Sequence, residues 1–79
     1  MSAPDANGWM PINSAPKMQV VILFAVTDVE GGVVKNWKMG SGCYLIGHDA
    51  WEWQGRVLKD YEHQPTHWQP LPKPPVVQP

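Results

Sequence analysis

Cysteine is almost missing from this chain of 79 residues: Cys43 stands alone, so no intramolecular disulfide can close. That excludes the disulfide-stapled secreted mini-proteins and fits a reducing cytoplasm. Charge of one sign is also missing. Six lysines and arginines against seven acids leave a net charge near zero, with no basic stripe to hold a phosphate backbone, so long nucleic acid is not an expected partner. The longest apolar run, "VVILFAV" at 20 to 26, falls far short of the roughly 20 residues of a spanning helix. The start "MSAPDANG" has no cationic region followed by an apolar one, so it is no signal peptide. These absences predict a soluble, cytoplasmic protein with no membrane partner. Helical periodicity is lacking too: no segment of ten or more residues free of glycine and proline shows clean i, i+3, i+4 periodicity.

What the chain has instead is tryptophan and proline. A domain this short buries only about 60 to 65% of the surface its unfolded form exposes. Five tryptophans (Trp9, Trp37, Trp51, Trp53 and Trp68) supply the large apolar groups that such a thin core needs. "QVVILFAVTDVEGG" reads as a central strand buried on both faces and leading into a glycine turn. "VVKNWKM" returns as a second strand with Val33, Trp37 and Met39 on one face. "GSG" at 40 to 42 reads as another turn and "CYLIG" as a third strand. "WEWQGRVL" at 51 to 58 reads as one half-buried strand, with Trp51, Trp53 and Val57 on one face and Glu52, Gln54 and Arg56 on the other. A polar loop follows, and "THWQPL" forms a short last strand. The expected fold is all-β, or β-rich with at most one short helical turn: a small antiparallel sheet or open barrel with proline-rich termini. Residues 1–8 are expected to be a flexible N-terminus, 9–75 the single domain and 76–79 a flexible tail.

The two ends repeat one phrase. "GWMPINSAPK" and "HWQPLPKPP" both read Trp-x-Pro-aliphatic with a Pro-Lys pair a few residues later. If both lie against the same sheet face or edge, the prolines cap an edge open to aggregation and each tryptophan seals one end of the core.

These segments, with the strand "VVILF" between them, resemble a family of short bacterial and phage proteins catalogued as domain of unknown function 551. The resemblance rests on Trp9, Pro11 and Lys17 at the start and on Thr66, His67, Trp68 and Pro70 at the end. It implies a small β-rich protein common on phage and prophage genomes, and it brings no catalytic residues with it. The chain departs from the pattern at "KMQ", 17 to 19, where the family has Lys-Asp-Gly.

Chemistry-bearing residues are few. His63 and His67 are four apart, but Pro65 lies between them and breaks the helix that would bring both to one metal ion. On a strand the same spacing separates their α-carbons by about 13 Å. No metal and no cofactor is expected. Cys43 beside His48 or His67 would need an exposed electropositive setting to act as a nucleophile, and "GCYLIG" reads as strand core. His67 is read as a strand-tying imidazole. The glycine pairs are turns, since no helix follows to complete a phosphate loop. "PLPKPP" matches a polyproline ligand but is expected to pack on its own domain. No catalytic residue is assigned.

The aromatic surplus is the remaining signal. An exposed tryptophan would form a platform for a protein partner or a stacked base. The candidate binding residues are Trp37, Trp51 and Trp53, with Lys35, Lys38 and Arg56 expected on neighbouring strands. The expected function is non-enzymatic: an accessory binding protein of phage or prophage type that occupies a host protein. The alternatives are a binder that sequesters a nucleotide-type small ligand, in a pocket lined by Trp37, Trp53 and a basic residue, and a structural or virion component. The thin core also favours a homodimer through edge-strand pairing.

Overall fold

In a computed structural model, which describes residue 5, residues 7–73 and residue 76, the chain is all-β. Six antiparallel strands form one open sheet: β1 (Met10–Pro11), β2 (Val21–Glu30), β3 (Val33–Leu45), β4 (Ala50–Trp53), β5 (Arg56–Val57) and β6 (His67–Gln69). Their spatial order is β1-β6-β2-β3-β4-β5. The helical content described is two 3-10 turns, Ile12–Ser14 and Ile46–His48. Among the described residues no helix is long and apolar enough to cross a membrane.

The apolar run forms β2 because its β-branched and aromatic residues fit a pleated surface. Its two faces differ, however. Val21, Leu23 and Ala25 are wholly buried, while Ile22, Phe24 and Val26 on the other face are only half covered. Gly31 and Gly32 have positive φ, 59° and 79°, and close the β2–β3 hairpin as expected.

Two expected boundaries are corrected. Gly40 to Gly42 form no turn; they lie inside β3, one continuous strand of 13 residues. A Cβ at Gly40 would lie 2.7 Å from Trp53 Nε1, and one at Gly42 would lie 2.5 Å from Leu23 Cδ1 and collide with the Glu52 carbonyl oxygen. The glycines leave the room that the Trp53 ring and the Leu23 side chain occupy. Residues 51 to 58 form no single strand either. Gln54 and Gly55, with φ of 52° and 85°, fold them into a two-residue hairpin in which Trp53 faces Arg56 and Glu52 faces Val57. Arg56 therefore shares the face of Trp53, and Val57 that of Glu52, the reverse of simple alternation.

The repeated phrase is explained by pairing. β1 lies antiparallel to β6, with Met10 opposite Trp68 and Pro11 opposite His67. Pro11 sits on the outermost strand, where its missing donor costs no ladder bond. The two tryptophans go to opposite faces, because Trp68 is opposite Met10 while Trp9 precedes it. Trp68 Nε1 donates to Ser14 Oγ at 3.0 Å, and Trp9 packs on Phe24.

The chain is tied down ahead of Trp9. Asp5 Oδ1 accepts the amides of Asn7 and Trp9, and Gln69 Nε2 donates to the Asn7 carbonyl. The expected flexibility of residues 1–4, 6 and 77–79 concerns positions outside the described residues, as do Pro74 and Pro75 of the tail. At "KMQ" the turn persists without its glycine: Met18 adopts φ 59°, and its amide donates to the Tyr44 carbonyl at 2.9 Å.

Candidate functional site

The register sorts the side chains of the sheet onto two faces. Leu23 is opposite both Trp68 and Gly40, Val21 is opposite Gly42, and Gly42 is opposite Trp53. This face is the core, roofed by Trp53 and Trp68. On the reverse face Phe24 is opposite both His67 and Met39, and Val26 is opposite Trp37.

A row of rings crosses this reverse face. Trp9 lies 5.0 Å from Phe24, Phe24 stacks on Trp37 at 5.2 Å with an interplanar angle of 22°, and His67 meets Phe24 edge-on at 6.3 Å. The row is open at one end. Trp37 is 50% exposed and Met39 beside it 51%. Even-numbered β2 residues set the row: in a run read only as core, Phe24 is the residue whose role the sequence reading missed, although alternation against Leu23 and Ala25 already directs it to the other face.

Thr66 anchors the row. Its hydroxyl accepts the Val26 amide at 3.3 Å and donates to the Phe24 carbonyl at 3.1 Å, while its own amide also donates to that carbonyl. His67 Nδ1 lies 2.8 Å from the same hydroxyl. No buried polar side-chain atom among the described residues lacks a partner. The expected bond from a His67 ring nitrogen to a backbone carbonyl is not among the bonds described; the ring's partner is the hydroxyl of its chain neighbour Thr66.

On the core face, at the β4–β5 end, lies an open pocket of about 480 Å³. Trp53 and Leu58 give it apolar walls, Met39 of the reverse face borders it, and Lys38, Gln54, Arg56, Glu62 and His63 give it polar walls. Arg56 Nη2 pairs with Glu62 Oε1, and Glu62 Oε2 accepts the Lys59 amide at 2.7 Å. The guanidinium first, and that amide next, hold the Glu62 carboxyl at about 2.

A third feature surrounds Trp51. It meets the Tyr44 ring edge-on at 5.3 Å, and Lys17 Nζ stands 5.3 Å from the Tyr44 ring centre. The Tyr44 hydroxyl donates to Asp49 Oδ1, which raises its pKa above the usual 10. A shallower pocket of about 250 Å³ is bordered by Lys17, Tyr44 and Trp51.

The expected binding set is therefore divided. Trp53, Lys38 and Arg56 meet at the larger pocket, whereas Trp37 lies on the opposite face, so a pocket lined by both Trp37 and Trp53 does not form. Trp51 belongs to the Tyr44 cluster. Lys35 is exposed at the irregularity in the β2–β3 arm and joins neither site. Lys35 and Lys38 share β3, and β4 separates them from Arg56. Pro70 follows β6 and is exposed. Cys43 is buried, with its thiol directed to the Tyr44 carbonyl. Among the described residues no three His, Cys, Asp or Glu side chains gather within reach of one ion.

A family model described as "Protein of unknown function (DUF551)" matches residues 9–76. No curated protein and no solved structure matches the chain.

Proposed function

The match spans nearly all of this chain, so the protein belongs to the DUF551 family, and on that premise we propose that it is a non-enzymatic accessory protein that binds another protein through the ring row of its open sheet face. The single observation that carries this reading is the half-exposed Trp37 and Met39 beside the stacked Phe24. Tryptophan and methionine are enriched in protein interfaces, and tryptophan in their energetic centres. Here Trp37 is held by stacking, so little side-chain freedom is lost when a partner covers it. Covering the exposed half of the ring would remove about 100 Å² from water, a gain of about 2.5 kcal/mol.

The phage or prophage setting, and with it a host protein as the occupant, is supported by the family resemblance alone. In the test, tagged wild-type protein and Trp37→Ala are used to recover partners from bacterial lysate, with bound mass read by native mass spectrometry. Recovery of one protein at a fixed stoichiometry by the wild type, lost in a folded Trp37→Ala, is expected. Equal recovery by both would remove the ring row as the binding surface.

A further inference from the structure

We propose that the pocket at the β4–β5 end is a second binding site, one that takes an organic anion with a flat aromatic ring, of mononucleotide size. Its volume, about 480 Å³, lies in the range of small-ligand sites, and such sites combine apolar walls with a few placed polar groups. The apolar wall is the Trp53 indole, backed by Leu58, which is almost wholly buried. Trp53 is fixed before any ligand arrives: it is paired in β4 opposite Gly42 and lies against Gly40. A ring stacked on such a platform gains about 1 to 3 kcal/mol.

Charge sets the sign of the ligand. Arg56 and Lys38 bring two cations to the pocket against one carboxylate, Glu62, so the formal balance is +1 with His63 neutral. The carboxylate is already engaged by Arg56 and by the Lys59 amide, so part of its charge is met within the chain. Lys38 has no acidic partner among the described residues. Its ammonium and the His63 ring are the groups left to meet a phosphate or carboxylate, while the indole meets the ring. Met39 borders both surfaces, but Trp53, Lys38 and Arg56 lie across the sheet from Phe24 and Trp37, so substitutions at Lys38 and at Trp37 test the two readings separately.

The test is titration of the full chain, labelled with nitrogen-15, with AMP, adenosine and inorganic phosphate, followed by amide and indole N–H signals. AMP is expected to move the Trp53 indole and the Lys38 and His63 amides, with a dissociation constant between roughly micromolar and millimolar. Adenosine and phosphate, each lacking half of the ligand, are expected to bind more weakly. Lys38→Gln, a change on an exposed side chain, is expected to weaken AMP about tenfold while leaving the spectrum of the free protein in place. His63→Gln provides a second variant that does not touch the core. Absence of shifts with AMP at millimolar concentration, shifts confined to other residues, or unchanged AMP affinity in both variants would overturn the proposal.

Discussion

At Gly42 a single hydrogen atom decides whether the sheet can close over its core. A methyl group there meets the Glu52 carbonyl oxygen, a backbone atom that cannot move without breaking the β3–β4 ladder, as well as Leu23 Cδ1. Gly42→Ala is therefore expected to lower stability by about 1 to 3 kcal/mol, read as a fall in melting temperature of about 4 to 8 °C for each kcal/mol. Gly40→Ala meets only the ends of the Gln54 and Trp53 side chains, and is expected to cost less in the same measurement. Glu62 contributes to the acid response. Its carboxyl sits at about 2 in the folded protein against an ordinary 4.5, so its contribution to stability is complete above 4.5 and disappears as pH falls through about 2. Wild-type protein is expected to exceed Glu62→Gln in urea midpoint at neutral pH, with the difference closing over that window. A constant difference down to pH 2 would contradict the assigned pairing with Arg56 and Lys59.

The elements owe their order to β6, a strand of three residues held between β1 and β2. Thr66, just ahead of it, links three groups through one hydroxyl: the Val26 amide, the Phe24 carbonyl and His67 Nδ1. Thr66→Val keeps the shape and removes the partner, leaving the Val26 amide and the imidazole unmatched. The expected cost is about 1 to 2 kcal/mol, with faster hydrogen exchange at the Val26 amide as its local signature. The strands were legible where composition is one-sided: the apolar run became β2, Gly31 and Gly32 its turn, and Pro11 lies on an edge strand. They were illegible where local and tertiary demands conflict. "GSG" has the composition of a turn, and only the Trp53 ring lying over Gly40 shows why small residues are needed in mid-strand. "WEWQGRVL" keeps period two across its own hairpin because a two-residue loop preserves alternation along the chain while reversing which face it addresses. The same limit applied to the binding set. Composition identified an aromatic surplus, but the register that places Trp37 and Trp53 on opposite faces depends on pairings between distant segments.

At the scale of the whole molecule, one sheet has two faces and material enough to roof one. Val21, Leu23 and Ala25 are sealed by the Trp53 and Trp68 side, which takes up two of the five tryptophans. Trp51 turns to Tyr44, and Trp9 and Trp37 are left to flank Phe24 on the uncovered side. Two tryptophans and a phenylalanine on the open face, with Trp37 half exposed, are what the proposed protein-binding role rests on. The most direct test is binding to the protein recovered from lysate, compared by calorimetry for wild type, Trp37→Ala and Lys38→Gln after all three have been shown to unfold at similar urea concentrations. The account predicts that Trp37→Ala loses at least about 2 kcal/mol of binding free energy, roughly thirtyfold in affinity, while Lys38→Gln, on the opposite face, binds as the wild type does. Equal affinity for wild type and Trp37→Ala, or a loss in Lys38→Gln alone, would contradict it.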